Sequence, residues 1–321
     1  MEFRELGSTG IEVSVVCCGA MAMSGAGTFG EQDDAESVRT VHAALDAGIT
    51  FFDTAEMYGQ GHSEAVLGKA LTGRREGVVV ASKVSSNHLS ADTLPQACDA
   101  SLSRLRMDYL DLYQVHWPSR QVAFDETAEA LERLREQGKI RSWGVSNFGP
   151  RDLGDILRFG RPAVDQLPYS LLWRAVEHEI VPICLDNDVS VICYSPMAQG
   201  ILTGKFSTPD EVPAQRKRAR YCWDGVIDRS FAVVDELCAV STDVAAPMAD
   251  VALAWLLSRP SIASVIAGMR TPDQARQNAR AADLILGEDA VQRLDRASKR
   301  VMDALDANPD MWQAGDESRY R

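Results

Sequence analysis

From residue 38 onward the apolar positions alternate between two kinds of run. Val38, Val41, Leu45 and Ile49 are spaced along one face of a helix, and they lead into a short strand-like run, Ile49 to Asp53. The alternation then repeats. A helix from about Ser63 to Leu71 precedes a strand at Val78 to Ser82, a helix at Leu94 to Leu105 precedes Tyr109 to His116, and a helix at Thr127 to Gln137 precedes Ile140 to Val145. Strands are also expected at Ala163 to Leu167, Val189 to Tyr194 and Ser264 to Ala267, each beside a helical stretch. With Val13 to Cys18 as the first strand there are about eight strand–helix units. Such alternation implies an α/β fold with a parallel sheet, and about eight units in a chain modestly over ~250 residues favour a closed (β/α)8 TIM barrel over an open doubly wound sheet. The expectation is a single domain over residues 1–321, with extra length at Lys205 to Ile227 and in a tail after Val301.

Composition narrows the function classes. The apolar content of 45% can bury a large core, and no Pro-, Gly- or Ser-rich linker divides the chain. A net charge of −13 argues against nucleic-acid binding and against adsorption to acidic membranes. No run has the length of a membrane span, and MEFRELGSTG lacks a basic flank followed by an apolar core, so the expectation is a cytoplasmic chain with no membrane partner. The seven cysteines show neither C-x-x-C nor metal spacing, which suits reduced thiols and no metal site; Cys17 and Cys18 are read as packing residues. Nothing in the sequence sets an oligomeric state.

In a barrel the chemistry gathers at the C-terminal ends of the strands. There the sequence places Asp53, Lys83, His116, Ser146, Asn147, Gln166, Tyr194 and Arg270. A tyrosine hydroxyl, with an ordinary pKa of ~10, exchanges a proton near neutrality only if a neighbour stabilises its phenolate. Lys83 suits that task for Tyr58, Asp53 keeps the buried ammonium charged, and His116 can orient a carbonyl by a hydrogen bond to its oxygen. A rival signal is GAGTFG at residues 25–30, which fits G-x-G-x-x-G. Its glycines stand six residues beyond the apolar run, and Glu31 to Asp34 supply an acidic first turn that would repel a pyrophosphate. The motif is read as a loop over the barrel mouth and not as a dinucleotide cradle.

FFDTAEMYG at residues 51–59, the lysine at 83, QVHWP at 114–118, GVSNF at 144–148, QLPYSLLWR at 166–174, YSPMAQGILTGK at 194–205 and IAGMRTPDQARQN at 266–278 resemble the aldo-keto reductases, in order and over nearly the whole chain. The resemblance implies a barrel that binds NADPH/NADP+ in extended form, and reduction of a small-molecule carbonyl, an aldehyde or ketone, to an alcohol. It implies a catalytic set of Asp53, Tyr58, Lys83 and His116 with Tyr58 as general acid. It further implies that Tyr194 stacks on the nicotinamide, that Ser146, Asn147 and Gln166 fix its carboxamide, and that Ser195, Leu202, Gly204 and Lys205 line the pyrophosphate. At the adenosine end it implies Gly268, Arg270, Gln274, Gln277 and Asn278, with Arg270 on the 2′-phosphate. Thr271-Pro272-Asp273-Gln274 has the form of an N-cap, a first-turn proline and a helix start, which suits that phosphate.

Other readings stay open at this level: a sugar or polyol dehydrogenase running in the oxidative direction, or a nucleotide-binding regulatory subunit resembling channel-associated β subunits. The basic run Arg216 to Arg220 is either a solvated face or a phosphate clamp. Trp117, Trp223, Trp312 and Met311 are candidates to wall an apolar substrate site.

Overall fold

A computed structural model describes residues 1–25 and 30–321. The chain opens with an antiparallel hairpin, β1 (Phe3–Glu5) and β2 (Glu12–Ser14), followed by β3 (Val16–Gly19). Then come α1 (Asp34–Asp46), β4 (Phe51–Asp53), α2 (His62–Ala70), β5 (Val79–Val84), α3 (Thr93–Leu105), β6 (Leu110–Val115), α4 (Phe124–Glu136) and β7 (Ile140–Ser146). The second half holds α5 (Pro150–Ile156), β8 (Val164–Pro168), α6 (Ile180–Asp186), β9 (Ser190–Tyr194), α7 (Ile227–Asp243), α8 (Met248–Leu257), β10 (Ile262–Gly268), α9 (Pro272–Arg280) and α10 (Glu288–Met302). Strands β3 to β10 pair in parallel, each with the next, and β10 returns to β3 to close the barrel.

The expected first strand is two strands. Val13 to Cys18 is apolar almost throughout, yet Glu12–Ser14 pairs antiparallel with β1 and only Val16–Gly19 joins the barrel. The break is held by Ser14, whose buried hydroxyl donates to Val16 O at 2.7 Å and accepts from the amides of Thr50 and Phe51 at 3.0 and 3.2 Å. The hairpin is a plug: Leu6, Ile11 and Val13 pack with the inward side chains of Cys17, Phe51, Ala81 and Leu112 in one buried cluster. Inward and outward positions alternate along each strand, so the outward set forms a second, larger core with the helices.

Helix starts follow local chemistry. Asp33 accepts from the amide of Glu36 at 2.8 Å and caps α1, as the acidic run after Gly30 suggested. Thr271 caps α9, with Pro272 at its first position. The additional length lies where expected: short 3-10 turns occupy Pro209–Glu211, Ala214–Arg216 and Arg220–Cys222, and the tail beyond α10 holds one more at Gly315–Glu317. Among the described residues no single helix is long and apolar enough to cross a membrane.

The basic run is neither a solvated face nor a clamp at its last residue. Arg220 is buried, bonded to Asp306 at 2.7 Å and to the carbonyls of Asn308 and Asp310, and so anchors the tail. Of GAGTFG, residues 26–29 lie outside the described residues. The closed barrel leaves no open sheet for a Rossmann crevice.

Candidate active site

The C-terminal strand ends converge on one chain of polar contacts. Lys83, on β5, is sealed from solvent, and its Nζ lies 2.5 Å from Asp53 Oδ1 of β4, 2.8 Å from Thr54 O and 3.3 Å from Tyr58 Oη. Parallel register brings this about: β4 and β5 are neighbours, so Asp53 and Lys83 meet above the same end of the barrel. The other oxygen of Asp53 is held by Gln166 Nε2 of β8 at 2.9 Å and Gln114 Nε2 of β6 at 3.2 Å. Gln166 also donates to Gln114 Oε1 at 3.2 Å. Four strands thereby share a polar cluster in which Asp53 balances Lys83.

His116 follows β6, with its ring centroid 5.7 Å from that of Tyr58 in an edge-on arrangement. Burial, helped by the Lys83 charge, pushes its pKa down to about 3, so the imidazole is neutral, and its buried Nδ1 has no partner among the described residues. Burial opposes a charge on Lys83 as well, but Asp53 and Tyr58 outweigh it and raise the lysine pKa above its ordinary value. Burial also raises the Tyr58 pKa, and Lys83 offsets this only in part. The expected depression toward neutrality is therefore not the resting state: Tyr58 is a protonated phenol with the Lys83 ammonium at 3.3 Å. The β4–α2 segment that carries it is braced by Glu56, which accepts from Ser85 N at 2.6 Å and bonds His88 Nδ1 at 3.0 Å.

A second group surrounds Asn147, which sits after β7 with a left-handed backbone at φ 63°. Its Nδ2 donates to His116 O and Ser146 Oγ, both at 3.0 Å, and its Oδ1 accepts from Tyr194 Oη at 2.9 Å. Ser146 Oγ donates to Gln166 O at 3.0 Å. Sequence reasoning missed two residues here. Tyr320 reaches Asn147 Oδ1 at 2.8 Å, and the Arg319 guanidinium lies 3.8 Å from the Trp117 ring centroid. Both come from a tail without periodicity, where a single tyrosine and a single arginine pair carry no local signal of a site. Met311 is buried and Trp223 is 40% exposed, so the four proposed wall residues differ widely in setting.

The segment after β9 has positive φ at Ser195, Ala198, Gln199, Gly200 and Gly204, a concentration of costly backbone conformations that suits a ligand-facing turn. Leu202 has its side chain in the core and its amide bonded to Met197 O, while Gly204 and Lys205 are exposed. At the start of α9 the Arg270 amide donates to Gln274 Oε1 at 2.8 Å, and its Nε donates to Gln32 Oε1 at 2.8 Å. Asn278 braces the exposed Gly268 through its carbonyl at 3.3 Å. Gln277 lies on α9 one position before Asn278.

The chemistry of this donor set fits a nicotinamide dinucleotide. Gln166 Oε1 receives no hydrogen bond from any described residue and can accept from a carboxamide. Tyr194, at the end of the neighbouring strand β9, bonds Asn147, and a capped helix start follows Arg270 after β10. Cys17 and Cys18 are buried, and burial pushes the Cys18 thiol up to about 12, so neither is a nucleophile.

Comparison with known proteins places the chain and its fold in one class. The Aldo/keto reductase family model matches residues 15–299, and the chain belongs to that family. It is 38% identical over 280 residues to a methylglyoxal reductase of Escherichia coli, covering 85% of this chain and 89% of that one. An aldo-keto reductase of Bacillus subtilis is 38% identical over 217 residues, 64% of this chain and 65% of that protein. An aldo-keto reductase from Klebsiella pneumoniae, solved in complex with NADPH, superposes with a TM-score of 0.76 at 30% identity, covering 92% of this chain and 95% of that one.

Proposed function

We propose that this protein reduces an aldehyde or ketone to an alcohol with NADPH, and that Tyr58 is the general acid. The observation that carries the proposal is the Asp53–Lys83–Tyr58 chain beside a neutral His116. Bound NADPH supplies the hydride. The imidazole N–H of His116 orients the carbonyl oxygen; being neutral, it does so without giving up its proton. Tyr58 Oη protonates that oxygen, and the charge left on the phenolate is met by Lys83 Nζ at 3.3 Å. Asp53 keeps Lys83 charged, and Gln114 and Gln166 hold Asp53 in place.

Tyr194 is the stacking platform for the nicotinamide, with Ser146, Asn147 and Gln166 around its carboxamide. Ser195, Gly204, Lys205 and the backbone near Leu202 face the pyrophosphate, and Arg270, Gln274, Gly268 and Asn278 hold the adenosine end. Gln277 is assigned to the same end. The seven unpaired cysteines, six of them buried, support a reducing, cytoplasmic setting.

The test is NADPH consumption with a reactive aromatic aldehyde, for the wild type and Tyr58→Phe, with NADPH binding followed by fluorescence. The expected result is a fall in kcat of about 10²–10⁴-fold with the Kd for NADPH unchanged. Equal rates in the two proteins would take Tyr58 off the proton transfer, and binding without turnover in either would overturn the reading and favour a regulatory nucleotide-binding role.

A further inference from the structure

Asn147 Oδ1 is shared by two tyrosine hydroxyls that arrive from opposite ends of the fold. Tyr194 Oη, at the end of β9, lies at 2.9 Å, and Tyr320 Oη, from the tail, at 2.8 Å. The nitrogen end of the same amide faces His116 O at 3.0 Å. A backbone carbonyl can only accept, so the amide is oriented with its NH₂ toward His116 and its oxygen toward the tyrosines, each of which must donate. The remaining N–H points at Ser146 Oγ at 3.0 Å, a contact between sequence neighbours.

We propose that Tyr320 is a positioning residue for the cofactor: from the tail it locks the Asn147 amide so that the N–H now on Ser146 Oγ can be presented to the nicotinamide carboxamide. This rests on the cofactor reading given above. Without the second hydroxyl, Oδ1 keeps only Tyr194, whose ring must also serve as the stacking surface, and the amide gains freedom to tilt. The N–H now on Ser146 Oγ is the one that exchanges for a ligand, because the His116 contact is backbone and the oxygen side is held by phenols.

The tail is built to deliver this hydroxyl. Asp310, with no exposed surface, accepts from Trp312 N at 3.0 Å and from Arg319 N, Nε and Nη2 at 3.1, 2.9 and 2.8 Å, folding the segment back on itself. Arg319 then covers the Trp117 ring, and Tyr320 meets the same ring edge-on at 5.7 Å. The Arg321 carbonyl accepts from the amides of Arg151 and Asp152 at 2.9 and 3.2 Å. A packing residue would need only the ring of Tyr320; the hydroxyl is what meets Asn147.

The test is the Kd for NADPH, read by quenching of tryptophan fluorescence, for the wild type, Tyr320→Phe, Asn147→Ala and the double variant, with the thermal midpoint of each. Tyr320→Phe should weaken NADPH binding about three- to tenfold, the size of one hydrogen bond. In the Asn147→Ala background the same change should have no further effect, because the two act through one atom. An unchanged or tighter Kd in Tyr320→Phe, or an equal loss with and without Asn147, would overturn the inference even where the thermal midpoint falls. A wild type that binds no NADPH would overturn the cofactor reading and this inference together, a result visible before any variant is made.

Discussion

Lys83 Nζ and Asp53 Oδ1 stand 2.5 Å apart, and neither side chain exposes more than 3% of its surface. A charge so placed is stable only while its partner is present. Asp53→Asn should therefore destabilise the fold by about 3–5 kcal/mol, because it strands the ammonium. Asp53→Leu combined with Lys83→Met should recover much of that loss while activity stays lost. Urea unfolding with a parallel turnover assay checks both; additive losses in the double variant would contradict a coupled pair.

His116 makes stability depend on pH in a defined window. Its pKa falls from 6.5 to about 3 on folding. Above pH 6.5 the imidazole is neutral in both states, and stability is at its full value. As pH drops from 6.5 toward 3 the unfolded chain takes up a proton that the folded chain refuses, so stability declines by up to ~1.4 kcal/mol per pH unit. His116→Asn should show a shallower decline across this window. Urea midpoints at pH 7 and pH 4 for both proteins measure it, and parallel declines would show that His116 is not the group responsible.

Arg270 is clasped from two sides, by Gln274 at its amide and by Gln32 at Nε. If its guanidinium reads a 2′-phosphate, Arg270→Ala removes charge-assisted hydrogen bonds from NADPH and none from NADH. The Kd for NADPH should rise roughly tenfold or more while that for NADH stays within about threefold. Fluorescence titration with both nucleotides decides it, and equal changes would take Arg270 off the phosphate.

Gly149, just before α5, has an ordinary φ of −78°, so its requirement is spatial. A Cβ there would come within 2.2 Å of the Arg321 carbonyl and 2.7 Å of its amide. Gly149→Ala should therefore displace the end of the tail, at a cost of about 1–3 kcal/mol. Faster proteolysis within residues 303–321, with the barrel intact by circular dichroism, is the expected signature. A tail cleaved at the wild-type rate would mean that the backbone absorbs the methyl.

The barrel and its strand-end residues were legible because both are local in sequence. Each strand–helix unit writes its own periodicity, and parallel pairing of neighbouring strands puts Asp53, Lys83 and His116 at the same end with no further information. Less was legible where one apolar run served two partners. Val13 to Cys18 carries no mark of the break at Val15, since Ser14 acts through contacts with Val16 and with β4.

What the sequence by itself determined is the order of alternating elements, the family pattern and the residue types at the strand ends, because hydrophobic period and motif spacing are properties of short stretches. What only the tertiary structure decided is which side chains share an atom: the anchoring of Arg220 in the tail, and Tyr320 on Asn147 across 173 residues. Such contacts depend on where a closed barrel carries an aperiodic segment, and a chain without a repeat writes no local signal of its destination.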